Sequence, residues 1–472
     1  MRRTFFLHFG ALLAACFSRK LLAKPVLNSG DIERKRLNIA QFGAVAGSDC
    51  SGALQRALNF AESLAGYDGA DVGTVIEFGP GLWYVNNIKI QKSGFRFIGA
   101  GKRATLLVNK DATAPMFMLQ AQSSALSPVI SDIAFENLQF RNIVDRADES
   151  EFLIRGIKAV RLYFSNVDFV SSPISSNGYR SARKCDFFKS DTFESTWANC
   201  NFWGIIGCAI DIPDGPQSDT LLFRSCIWAY CTIAGVFGLG NGSGINGLSI
   251  ESSKVIGSQG GSYVSQGHDN FSSTRCASVN GKLIEVEDST GFRAGKAILI
   301  GTGSATSQYA IVRAISGNTM TLDRPLKCKR GDLIIHGVFG FVFGHASMPS
   351  LRASQMEGCD TAIYLDGGRA LTVESTSFIS CARGILASAD FEFLKLSACT
   401  AATIGQLKSG VSWELISIIA VSGKSNLVRV EGLHFEGSGY YRGDPSSVVA
   451  NHSEHKVSIS WPSQSECVVD EV

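Results

Sequence analysis

Charge of one sign is missing from this chain: 44 Lys and Arg stand against 42 Asp and Glu in 472 residues, so no bulk field points to nucleic acid. After residue 17 no apolar run is long enough to cross a bilayer, so no transmembrane segment is expected beyond the N-terminus. The 13 cysteines show neither zinc-ligand spacing nor the spacing of a small disulfide framework. Glycine loops for cofactors are also wanting. Gly94 and Gly99 place Ala100 where a phosphate loop requires lysine, and Gly238 to Gly244 lacks the strand–helix setting of a dinucleotide site. No cofactor and no metal are therefore expected.

What is present is a repeat. Ile133 to Phe140 reads apolar-x-apolar, two polar residues, apolar-x-apolar, and Leu162 to Phe169 repeats it down to the asparagine. Weaker copies start at Ser195, Leu221, Leu248, Leu351, Leu371, Leu394 and Val428, mostly at intervals of about 20 to 34 residues. Each half has the period of two that sends alternate side chains to one face. Asn137, Asn166 and Asn199 stand at the kink between halves, and asparagine tolerates the left-handed backbone a sharp corner needs. One such unit cannot bury its own apolar face, whereas stacked units can. The pattern predicts an all-β chain wound as a right-handed parallel β-helix, one coil per repeat. Glycine at 49 and phenylalanine at 30 suit tight corners around an aromatic-stacked core. Cys200, Cys226 and Cys399 fall on inward positions as buried thiols, with one or two disulfides as the rival arrangement.

The N-terminus reads as an export signal over 1–24. Arg2 and Arg3 precede the apolar run Phe5 to Phe17, a pattern similar to the twin-arginine type; an ordinary secretory signal shares most of it. Leu13 to Cys16 resembles a lipoprotein box, which would make Cys16 a lipid anchor; the alternative is an apolar residue of the signal core. Residues 37–107 form an N-terminal cap, with a helix starting near Asp49 and Ser51 and carrying Leu54, Ala57, Leu58, Ala61 and Leu64 on one stripe. Coils follow over 108–271 and 338–440. Between them, 272–337 breaks the repeat into short strands with glycine or asparagine turns, a small inserted β-rich subdomain. Residues 441–472 make a C-terminal cap and tail.

Phe42 to Ala44, Ala53 to Leu58 and Thr74 to Gly81 together resemble the N-terminal block of the pectate-lyase-like superfamily, which includes polygalacturonases and tailspike depolymerases. An Asp-Asp or Asp-Thr pair usually precedes the helix there; this chain has Asp49, Cys50 and Ser51. The export signal directs the protein to the periplasm, outer membrane or exterior, and the resemblance implies that its partner is a polysaccharide, cleaved by hydrolysis or elimination. A non-catalytic glycan-binding or envelope-structural role, or an accessory role in exopolysaccharide production, is the alternative. Oligomeric state is left open, a trimer being one option. The polygalacturonase motifs are absent: no Asp-Asp pair occurs, and Gly267-His268-Asp269 and Gly344-His345-Ala346 match the Gly-His-Gly motif only in part. In the superfamily the sugar chain lies across the strand after the second apolar pair, here Ala209 to Ile212, Ala362 to Leu365 and Gly384 to Leu386. Asp211 is expected to point outward from it, with Asp214 one turn on, as a carboxyl pair for acid–base work. Tyr364 and Asp366 are expected beside the sugar, and Trp203, Tyr230 and Phe237 as stacking surfaces. For any one of these aspartates, capping of a turn is the competing role. The insertion either flanks a glycan groove or is a structural outgrowth.

Overall fold

The computed structural model describes residues 36–64, 73–121, 129–146, 152–173, 183–213, 220–239, 245–257, 272–301, 308–344, 347–402, 415–419, 426–436, 448–451, 453, 456–460 and 468–469. Its body is a parallel β-helix. One parallel sheet of 23 strands takes the two halves of each repeat, and a second parallel sheet of 11 strands takes the strand that follows.

Register places the inward residues in one row. Leu37, Ile76, Phe97, Phe135, Phe164, Trp197, Phe223, Ile250, Leu351, Val373, Leu396 and Val430 each pair with the next across successive coils. The aromatic members stack, with ring centroids 5.3 Å apart for Phe135 and Phe164, 5.5 Å for Phe164 and Trp197, and 4.5 Å for Trp197 and Phe223. Phe135 through Val373 thus take the inward position that the repeat supplies once per coil. Stacking of like rings follows from register, because a parallel strand repeats the same position every coil.

The corner between the two halves is left-handed in coil after coil. Asn137, Asn166 and Asn199 have φ of 54°, 54° and 55°, and Ser225, Ser252, Ala353, Ser375 and Ala398 continue the column at 46° to 53°. Asn166 Nδ2 donates to Asn137 Oδ1 at 2.7 Å. From Asn199 onward the next residue is Cys200, Cys226, Ser253, Ser354, Thr376 or Cys399, and its S–H or O–H donates to the carbonyl two residues back. These thiols are buried and unbridged; besides filling space, they add a second bond to carbonyls such as those of Arg224 and Ser397, which already accept the N–H of the corner residue one coil earlier. On the outer face beside this corner Glu136, Glu251, Glu374 and Glu431 pair with Arg96, Arg224, Arg352 and Lys395, forming an ion-paired ridge.

The helix Ser51–Leu64 closes the N-terminal end, burying Ala53, Leu54, Ala57, Leu58 and Ala61; Leu64, expected on the same stripe, is exposed at its last turn. Asp49 Oδ1 accepts the Ser51 N–H at 3.0 Å. Gln55 accepts the Lys89 N–H and donates to the Lys89 carbonyl, so the helix also satisfies edge groups of the second sheet.

The insertion is a closed six-stranded antiparallel barrel, in the order Ser272–Asn280, Leu283–Val286, Thr319–Leu322, Gln308–Ser316, Ala297–Gly301 and Leu333–Gly337. Ile284, Val286, Ile298, Ile300, Val312, Met320, Leu322 and Ile334 fill it. Ala297, Leu299, Tyr309, Ile311 and Ile335 face the other way and pack on the solenoid's Cys208, Ile233, Val236, Phe339, Val342, Tyr364 and Leu386. The unbroken run Ala297 to Ile300 thus reflects a strand buried on both faces. The barrel covers part of the outer surface of the second sheet, and this decides the environment of the functional candidates.

Candidate functional site

Along the outer face of the second sheet, register aligns Lys89, Met118, Arg155, Lys189, Asp211, Val236, Val342, Tyr364 and Leu386, one residue per coil. The column changes character at Asp211. From the capped end to Lys189 it carries three cations and Met118 and is at least partly exposed; from Val236 to Leu386 it is apolar but for the Tyr364 hydroxyl and lies beneath the barrel. Polar groups gather where the two regimes meet.

Tyr309 of the barrel donates its phenol O–H to Asp211 Oδ2 at 2.8 Å, and Lys189 Nζ donates to the same oxygen at 3.0 Å. Asp211 is 2% exposed, whereas the Lys189 side chain is 38% exposed. Beside this triad, Arg324 Nη2 donates to Asp186 Oδ2 at 2.5 Å and to Asp323 Oδ2 at 3.1 Å, and its guanidinium lies 4.5 Å from the Tyr309 ring centre. The Cys208 N–H donates to Asp186 Oδ1 at 2.6 Å, and the Ile311 N–H to Asp323 Oδ1 at 2.8 Å. Burial raises the Asp186 carboxyl above its ordinary range; Arg324 pulls it back and Asp323 adds to the rise. Burial also pushes the Tyr309 phenol well up, with Arg324 opposing and Asp211 reinforcing. A protonated phenol and a carboxyl with raised proton affinity are the groups that general acid chemistry uses, and the half-exposed ammonium of Lys189 is the edge of the cluster that solvent reaches.

Of the seven residues expected at a site, the six described are not brought together in one place. Asp211 lies on the outer face, but under the barrel instead of in an open groove, because Tyr309 and the apolar face around it cover that strand. Asp214 falls outside the described residues. Tyr364 is likewise outward and 1% exposed, packed edge-on to Phe339, so its ring is no open surface for sugar stacking. Asp366 is 3% exposed and accepts from Ser388 Oγ at 2.9 Å; Ser388 and the Tyr364 hydroxyl are 2.6 Å apart, a buried tyrosine–serine–aspartate chain. Phe237 faces inward, against Phe223 and Phe343, and its ring is wholly buried. Alternation is interrupted in this strand: Ile233 and Val236 are both outward and Ala234 and Phe237 both inward, with Gly235 between, where a Cβ would stand 2.6 Å from the Phe237 ring. Trp203 is half-buried beside Tyr230, ring centroids 6.2 Å apart, and these two remain available as an aromatic surface.

Lys189, Asp186, Tyr309, Arg324 and Asp323 were not singled out from the sequence. One signal existed for the first two: Asp186 to Lys189 is the preceding coil's copy of Cys208 to Asp211, with a charge at the same outward position. The others come from the insertion, and nothing local ties Tyr309 to a residue 98 positions earlier. Among the described residues no group of three or more His, Cys, Asp or Glu is placed to hold a metal, and no helix is long and apolar enough to cross a membrane.

No family model matches the chain, and no curated protein matches it. Solved structures do. The A-module of the mannuronan C-5 epimerase AlgE4 of Azotobacter vinelandii aligns with a TM-score of 0.48 at 11% identity, over 92% of this chain and 100% of that one. The ORF18 protein of Geobacillus virus E2 aligns at 0.47 and 14% identity over 91% of this chain, which spans only 62% of that protein's length. Tailspike protein 3 of bacteriophage CBA120 aligns at 0.44 and 13% identity, over 98% and 68%. This chain is a parallel β-helix bearing an inserted barrel, as the repeat and the short strands of 272–337 predicted.

Proposed function

We propose that the chain is an exported protein that binds and cleaves an extracellular or cell-envelope polysaccharide at the junction of barrel and solenoid. The observation that carries this reading is the outward column of the second sheet, where Arg155 and Lys189 pair in register and lead up to the Asp211–Lys189–Tyr309 triad. Cations one coil apart, at about 4.8 Å, suit an extended chain of acidic sugars. Elimination from a uronate needs its carboxylate neutralised and a proton removed beside it, so the basic column favours a lyase over a hydrolase. Lys189 and Arg155 hold the sugar carboxylate, Asp211 takes the proton beside it, and Tyr309, hydrogen-bonded to Asp211, passes its phenol proton to the leaving oxygen and regains one from Asp211.

A second reading, glycan binding without cleavage, is favoured by a different observation: Asp211 is already engaged by two donors and nearly sealed from solvent. Incubating the full chain with a panel of acidic and neutral polysaccharides separates them. New reducing ends together with unsaturated-uronate absorbance support the lyase, and reducing ends alone support a hydrolase. Retention on a polysaccharide that is never shortened leaves the binding protein.

A further inference from the structure

Eleven described cysteines are buried thiols, and one pair of them stands apart. Cys276 lies in the first barrel strand, Ser272–Asn280, and Cys328 in the segment between the strands Thr319–Leu322 and Leu333–Gly337. Their sulfurs are 3.0 Å apart. The solenoid cysteines behave otherwise: Cys200, Cys226, Cys231, Cys359, Cys381 and Cys399 each donate S–H to the carbonyl two residues back, a bond that oxidation would remove. Cys276 and Cys328 turn their sulfurs towards each other. The surrounding backbone holds them there, since the Cys276 N–H donates to the Asp332 carbonyl at 2.9 Å and the Gly331 N–H to the Cys276 carbonyl at 2.8 Å. A bond of about 2.05 Å therefore needs only a small approach of two sulfurs whose segments are already joined by backbone bonds at Cys276.

We propose that Cys276 and Cys328 are a modification site, the one pair in the barrel that is oxidised to a disulfide, closing its first strand onto the loop before its last. The oxidant is a low-molecular-weight or protein disulfide. One thiolate attacks it to give a mixed disulfide, and the second displaces the leaving thiol. The two S–H bonds lost appear as two reduced thiols on the oxidant, so protons and electrons balance. Both sulfurs are largely buried, Cys276 at 0% and Cys328 at 9% exposure, so the bond forms most readily as the barrel closes during folding. The link needs no polysaccharide activity and stands independently of the proposed function.

The test is to refold the full chain with oxidised glutathione, alkylate it under denaturing, non-reducing conditions, and map peptides by mass spectrometry. The expected result is a peptide pair joined through Cys276 and Cys328, with the six solenoid cysteines named above alkylated. Cys276→Ser should leave Cys328 alkylated or glutathionylated, with no new cross-link; Cys328→Ser should do the same for Cys276. Wild-type protein in which both thiols are alkylated, or in which either is joined to a different cysteine, overturns the assignment. Should either serine variant fail to fold, the wild-type peptide map alone decides.

Discussion

Arg324 is shared between two buried carboxylates, and its removal gives the sharpest check on the junction. Arg324→Ala leaves Asp186 and Asp323 facing each other at 7% and 1% side-chain exposure without the guanidinium between them. Breaking a buried pair by deleting one partner costs about 3–5 kcal/mol. Taking about 4 kcal/mol, and about 1.4 kcal/mol per decade, opening of the barrel from the solenoid becomes about a thousandfold more frequent. The loss depends on pH in a definite direction. Asp186 has its folded carboxyl raised above the unfolded value of 3.8, chiefly by burial, so the folded state binds the proton more tightly than the unfolded one. Stability from such a group is full below the unfolded value and is lost as pH rises through the folded one. Without Arg324 the rise is larger, so the variant regains stability as pH falls from neutral to about 5. Hydrogen exchange reads this locally at Ile311, whose N–H is held by Asp323, and urea unfolding reads it globally. A loss below about 1 kcal/mol, the level of an exposed pair, would refute the reasoning. So would an equal loss at both pH values.

Other perturbations test other links. Asp211→Asn should lower turnover on a confirmed polysaccharide at least about 100-fold; full activity in that variant moves the chemistry elsewhere. Trp197→Ala, in the middle of the stacked row and 0% exposed, should cost about 3–5 kcal/mol in denaturant unfolding. Asn166→Ala should cost about 1–2 kcal/mol, because alanine resists the left-handed corner at φ 54°, and Asn166→Gly should cost less; the reverse order contradicts the corner geometry. Replacing Arg2 and Arg3 together by lysine should leave the precursor in the cytoplasm, as cell fractionation would show, and normal export would remove the twin-arginine assignment.

The solenoid was legible because its information is local and repeated. Phe135, Phe164, Trp197 and Phe223 each follow from alternation within a few residues, and the asparagine column marks where the alternation resets. Later corners were harder to see. Ser225, Ser252, Ala353 and Ser375 take the same left-handed backbone without the residue type that announces it, since the ladder on either side imposes the bend. The cysteines were read as apolar filling, and their role as carbonyl donors is visible only once the left-handed residue before each is known.

The site was far less legible, for a different physical reason. Alternation says which face a side chain takes but not what lies over that face. Asp211 and Tyr364 do point away from the solenoid core, yet a barrel made from residues 272–337 covers both, and the bond that seals Asp211 comes from Tyr309, 98 positions further along the chain. The apolar outward residues Ile233, Val236, Phe339 and Val342 carried the warning. A solenoid face open to water has no reason to place four large apolar side chains on its outside, and their presence on two adjacent coils marks a covered surface. By the same logic the polar outward residues Lys89, Arg155 and Lys189 mark where the cover ends. At the boundary between the two sets, Asp211 is desolvated by the barrel and still lies one coil from the solvent-exposed Lys189.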